Sequence, residues 1–155
     1  MKKIIAILIC LVLAGCGGKD DGFVKAGKSV IGSGSSVPVE NVEDLSTIAW
    51  KASRQAHYEA YWKQWQIKDE VKDVDFTEYD TYFILVYGSS SCPPEISQYR
   101  IQGDTLYIKL QSEDGICTTD MAPVSYVLKV DKHTEVTKLK VNEYGKEVTI
   151  DLVLE

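Results

Sequence analysis

The sequence predicts an α+β domain in which one amphipathic helix packs on a mostly antiparallel β-sheet of five to six strands. Three observations lead there. Large rings recur at helical spacing at Tyr58, Tyr61, Trp62 and Trp65; beyond Phe76 the apolar residues fall into strand-like runs; and the connections between those runs are short.

Thr47 to Ala52 reads as a first strand, after which Ser53 offers a side-chain oxygen to cap a helix running through Trp65. Tyr58, Trp62 and Trp65 stand at i, i+4 and i+7, with Tyr61 at i+3, so the rings share one face. Rings so spaced fill cores far more often than they form a sugar or cofactor platform, and Trp62 is the expected centre of the helix–sheet contact. Lys68 to Asp75 mixes acids and lysines around Val71 and Val74, the pattern of a solvated connection. Tyr82 to Tyr87 is an unbroken aromatic and β-branched run, as in a central strand buried on both faces. Ile96 to Ile101, a Gly103-Asp104 turn and Thr105 to Leu110 form a hairpin with Leu106, Ile108 and Leu110 on one face and Tyr107 and Lys109 on the other. Val124 to Val130 is the next strand, and Glu135 to Val141 with Glu147 to Leu154 makes a last hairpin around Tyr144-Gly145.

This domain is assigned to residues 46–155. Ahead of it, Met1-Lys2-Lys3 supplies a positive start, Ile4 to Ala14 an apolar stretch, and Ala14-Gly15 the small residues a signal peptidase accepts. As a helix the apolar stretch rises only about 16 Å, against roughly 30 Å of hydrocarbon, so it reads as a signal peptide, residues 1–15, rather than a permanent span. Leu13-Ala14-Gly15-Cys16 resembles the lipobox of bacterial lipoproteins, which implies a diacylglycerol on the Cys16 thiol and an anchor of two or three acyl chains in the cell membrane or outer membrane, facing the extracytoplasmic side. A plain secretory signal with an incidental cysteine is the blander alternative. Residues 16–45, with Gly17-Gly18, Asp20-Asp21 and Gly32-Ser33-Gly34-Ser35-Ser36, read as the lipidated cysteine and a flexible tether; a short strand within Phe23 to Ile31 is the competing reading.

The chain carries 17 lysines and arginines against 23 acids, a net charge of −6 that the loss of Lys2 and Lys3 would take to −8. That balance argues against a nucleic-acid partner and against polybasic adhesion to anionic lipid. Of the 4 cysteines, Cys10 would leave with the signal and Cys16 would be lipidated, so Cys92 and Cys117 remain to pair. Closing that loop would stabilise the fold by roughly 3 kcal/mol in the chain-entropy model. A reactive dithiol is the weaker reading: the pair is not Cys-x-x-Cys, and no Lys or His flanks either thiol to favour a thiolate.

From about Ser46 to Val130 the order of elements resembles the C-terminal domain of the protease-stabilising protein PrcB, through a helix ending in Tyr61-Trp62, then Val74-Asp75-Phe76, the strand Tyr82 to Tyr87 ending at Gly88, a hairpin, and Pro123 ahead of a last strand. Ser89 to Pro94 and Cys117 to Pro123 depart from that pattern and resemble segments of small bacterial lipoproteins. The resemblance implies a non-catalytic partner or stabiliser of envelope proteins.

Chemistry-bearing constellations are few. Cys92, Cys117 and Met121 with His57 or His133 would make a soft, copper-like donor set, but no His-x-His, Met-x-x-Met or Cys-x-x-Cys spacing supports it, and no metal or other cofactor is expected. Ser89 to Ser91 offers hydroxyls, with only His57 and His133 as bases, neither in a Gly-rich context; turn hydrogen bonds are the simpler role. Glu113-Asp114 lacks the spacing of a calcium loop. If Cys92 and Cys117 join, their segments form a stapled crown bearing Pro93, Pro94, Glu95, Asp114, Thr118, Thr119, Asp120 and Met121. Such a loop loses little entropy on docking and is the candidate surface for an envelope protein partner; fastening a long loop to the strand Tyr82 to Tyr87 is the competing role. The expected function is a lipid-anchored binding or protein-stabilising module rather than an enzyme, with a small-ligand or metal-binding lipoprotein, and then a hydrolase, as alternatives.

Overall fold

In a computed structural model the protein is described over residues 22–35, 46–112, 115–133, 135–143 and 146–154. Residues 1–15, and with them the expected signal peptide, lie outside the described residues, as do Cys16, Asp114 and the turn residues Tyr144-Gly145. The described strands are β1 (Val24–Lys25), β2 (Val30–Gly34), β3 (Ile48–Ala52), β4 (Tyr79–Gly88), β5 (Glu95–Gln102), β6 (Thr105–Gln111), β7 (Ala122–Asp131), β8 (Lys138–Glu143) and β9 (Lys146–Asp151), with one helix, α1 (Gln55–Gln64), between β3 and β4.

The α+β class holds, with the helix against mostly antiparallel sheet. The strands, however, divide between two sheets rather than one of five to six strands. A four-stranded sheet runs β2-β7-β4-β3 and a five-stranded sheet runs β1-β5-β6-β8-β9. Among the named strands the pairings are antiparallel except β6 with β8, which are parallel because the chain leaves for the other sheet as β7 before returning. At one side the sheets are stitched by Lys51 N–H to Val153 O at 3.0 Å and Val153 N–H to Ala49 O at 3.0 Å. At the other side the chain itself crosses, from β1 through a 3-10 turn, Gly27–Ser29, into β2.

This layering explains β4. Tyr82, Ile84 and Val86 point between the sheets, against Leu106, Ile108, Leu139 and Val141. Phe83, Leu85 and Tyr87 point the other way, into a second core under the helix with Trp50, Tyr58, Tyr61, Trp62 and Trp65. The strand is buried on both faces because each face meets a different layer. The helix rings pack edge to face: Trp50 on Tyr61 at 4.8 Å, Trp50 on Trp65 at 5.5 Å and Tyr61 on Phe83 at 5.6 Å between centroids. Burying each ring contributes on the order of 1.5–3 kcal/mol, which holds a short helix that would not persist alone.

Two local expectations are corrected. The helix begins at Gln55 with Arg54 in the cap position and no side-chain cap, rather than at Ser53. Strand pairing persists to Ala52, opposite Thr81, so Ser53 falls one residue too early to cap. The segment expected as a tether is also part of the fold over residues 22–35. β1 pairs with β5, and β2 pairs with β7 as an edge strand. There Gly32 is a packing residue: a Cβ on it would sit 2.5 Å from the Trp62 ring. Ser33 N–H donates to Asp69 Oδ2 at 2.8 Å, and Trp62 Nε1 donates to the Asp69 carbonyl at 3.1 Å, tying β2 to the end of the helix.

Candidate functional site

Strand β4 has two ends of opposite character. At its first end, Lys51 Nζ lies 3.2 Å from Asp80 Oδ2 and donates to the His133 carbonyl at 2.9 Å, with both side chains buried. Two charges in a core hold only as a pair. Burial, reinforced by the Asp80 carboxylate, raises the pKa of the neighbouring Tyr82 phenol.

At the far end, beyond Gly88, the chain opens into a cleft of about 1000 Å³. One wall is the end of the four-stranded sheet and the crown, with Tyr87, Cys92, Pro94, Thr119 and Met121; the other is the end of the five-stranded sheet, with Ser97, Leu110, Gln111 and Asn142. Cys92 and Cys117 are joined by a disulfide with Cα atoms 5.6 Å apart. The bridge ties the loop after β4 to the loop before β7, as the cysteine count predicts.

Two further devices fix the crown. Tyr126 Oη donates to the Pro94 carbonyl at 2.6 Å from within the core. Burial, with the nearby Glu95 carboxylate, pushes that phenol up to about 12, so it stays a donor. Gly88 lets the Pro94 ring lie flat on the strand, since a Cβ there would meet Pro94 Cδ at 2.2 Å. Pro94 is therefore buried against the strand as a foundation of the crown, while it also lines the cleft. Pro93, Glu95, Thr118, Thr119 and Asp120 are exposed, Met121 is 42% exposed, and Ile116, on the same loop, is fully exposed.

A hydroxyl cluster converges on Asp120. Thr118 Oγ1 donates to Asp120 Oδ1, Ser89 Oγ is 2.8 Å and Ser91 Oγ 3.2 Å from Thr118 Oγ1, and Ser91 Oγ accepts from Thr118 N–H at 2.9 Å. Ser90 and Thr118 hydrogen bonds hold the Asp120 carboxyl below its ordinary range. The serines thus make turn hydrogen bonds, as expected, and knit the two cysteine segments together.

The histidines do not join them. His133 follows β7, about 30 Å along the strand from Asp120 at its start. His57 lies in the helix that follows Ala52, at the Thr81 end of β4, with its Nε2 2.9 Å from Arg54. The structure therefore separates the candidate soft-metal set, placing the cystine and Met121 at one end and both imidazoles elsewhere. Sequence reasoning found the crown but missed the opposing wall, because Ser97, Gln111 and Asn142 are brought there by sheet pairing and carry no local motif. No family model, curated protein or solved structure matches the chain.

Proposed function

We propose that the protein is a lipid-anchored, non-catalytic binding or protein-stabilising module of the bacterial cell envelope, held by Cys16 in the cell membrane or outer membrane on its extracytoplasmic side. It engages an envelope protein through the cystine-end cleft. The observation that carries this reading is the cleft itself, a concavity of about 1000 Å³ between two sheet ends, with Met121 and Ile116 exposed on a disulfide-stapled loop beside it. Apolar anchors on a pre-organised loop suit a protein partner, because little chain entropy is lost on docking. The resemblance of its order of elements to the PrcB domain suggests the same class of role. Among the described residues no helix is long and apolar enough to cross a membrane; the lipid on Cys16 is proposed as the link from the Leu13-Ala14-Gly15-Cys16 pattern.

A hydrolase is disfavoured on chemical grounds. A hydroxyl nucleophile needs a neighbour that takes its proton, and a carboxylate held below its ordinary range, as Asp120 is, is a weak base. A second reading, a small ligand in the cleft, is favoured by its volume, which lies within the range of ligand pockets. Purification of the native chain from its membranes, with a Met121→Asp variant and a Val71→Asp control, separates these readings. The partner reading expects a co-purifying protein that only Met121→Asp loses; an identical profile for all three chains counts against it. A small-molecule adduct in native mass spectrometry would favour the second reading.

A further inference from the structure

The ladder that joins β6 to β8 is shorter than the ladders on either side of it. β6 and β8 stay in register from Thr105, opposite Lys138, to Ile108, opposite Val141, and pair no further. β6 nonetheless continues beside β5 as far as Gln111, opposite Glu95, and β8 continues beside β9 as far as Glu143, opposite Lys146. The two strands part just past the buried Ile108 and Val141, and the stretch beyond lines the cystine-end cleft with Leu110 and Gln111 from one strand and Asn142 from the other.

The direction of the backbone groups follows from two hydrogen bonds. The Asp104 carbonyl accepts from Lys138 N–H at 3.1 Å, on the side of β8, whereas the Lys109 carbonyl accepts from Ser97 Oγ at 3.1 Å, on the side of β5. Alternation along β6 then turns the N–H and C=O of Leu110 to the side of β8, where Leu110 has no strand partner among the described residues.

An open strand side is a template for another backbone, and the edge strands elsewhere in the molecule are blunted. β1 is two residues long. On β2, Ser33 N–H is held by Asp69 Oδ2 at 2.8 Å, and on β3, Lys51 N–H is held by Val153 O at 3.0 Å. β9 carries Lys146, Glu147 and Asp151. Leu110 is half-buried and Gln111 exposed, and neither bears a charge.

We infer that the partner of the cystine-end cleft binds as an extended polypeptide segment, pairing with the Leu110 backbone and continuing the sheet where β8 leaves it. This rests on the proposed binding role of the cleft. Main-chain hydrogen bonds give such a segment affinity, and the side chain that it turns inward at every second residue meets Pro94, Leu110 and Met121, which line the same cleft and favour an apolar group. The cystine already holds the crown as the opposite wall, so the segment is received without ordering it.

The probe is a phage-displayed library of short linear peptides, selected on the full chain purified from membranes in detergent. Hydrogen exchange read by NMR, with and without the selected peptide, should show the Leu110 amide slowed roughly tenfold and the Gln111 amide, which faces β5, unchanged. Leu110→Pro and Leu110→Ala both lose the side chain, but only the proline loses the N–H, so Leu110→Pro should bind the peptide roughly tenfold more weakly than Leu110→Ala. A peptide that binds without slowing the Leu110 amide of the unaltered chain overturns the inference, as does equal binding by the two variants. Failure to select any peptide overturns it too. A protein adduct from a photo-crosslinker at Met121 in intact cells would then leave the cleft as a binding end for a folded surface, whereas no adduct would remove the binding reading as well.

Discussion

The two ends of strand β4 are built from opposite materials. The Asp80 end is sealed by a buried ion pair whose cation also holds a backbone carbonyl, while the Gly88 end is a cleft propped open by a cystine, a proline and a tyrosine hydroxyl. The difference teaches where stability resides and where the proposed binding would sit. Charges removed from water must be matched, so the first end tolerates little change; the second is covalently fixed and exposes its polar groups, so those exposed residues can be altered without losing the fold.

The sharpest way to break this comparison is at the sealed end. Lys51→Ala leaves Asp80 buried without its partner and should cost about 3–5 kcal/mol in denaturant unfolding, whereas Lys51→Met with Asp80→Leu should be close to neutral, because the pair offsets its own desolvation. A harmless Lys51→Ala would show that the end is wetter than its burial implies. Next in size is the staple. Cys92→Ala with Cys117→Ala should cost roughly 3 kcal/mol from the chain entropy of the loop, and should weaken partner capture. Gly88→Ala should follow at about 1–3 kcal/mol, since the Pro94 ring must move, and Gly32→Ala should cost a similar amount by displacing Trp62.

The smallest effect is electrostatic. Asp120 sits below its ordinary 3.8 because hydroxyls favour its charged form. A carboxylate depressed in the folded state contributes stability in full above its unfolded value, and loses it as pH falls through the folded value. Proton titration by NMR should place Asp120 below an ordinary aspartate, and Thr118→Val should move it back up; an unmoved Asp120 would remove Thr118 from the network.

How much of this was legible in the sequence follows from range. β4, the β5–β6 hairpin and the helix rings announce themselves through local periodicity, and the cystine through a count of available thiols. The second sheet does not, because the parallel pairing of β6 with β8 is a long-range choice between apolar strands that look alike. Gly32-Ser33-Gly34 has the composition of a linker, yet Gly32 is small because Trp62 occupies the space a side chain would need. Lys51 and Asp80 gave no signal of burial, since a charged residue beside an apolar run ordinarily marks its end. At the candidate site, half of the cleft was readable as a stapled crown and half was not, because its far wall belongs to the sheet that the sequence did not separate.

Binding is proposed at the cystine end. A photo-crosslinking residue placed in turn at Met121 and at the exposed His133 near the opposite end, in intact cells, tests it most directly. A discrete protein adduct is expected from position 121 and none from position 133. Adducts of equal yield at both positions, or an adduct from position 133 alone, would contradict it.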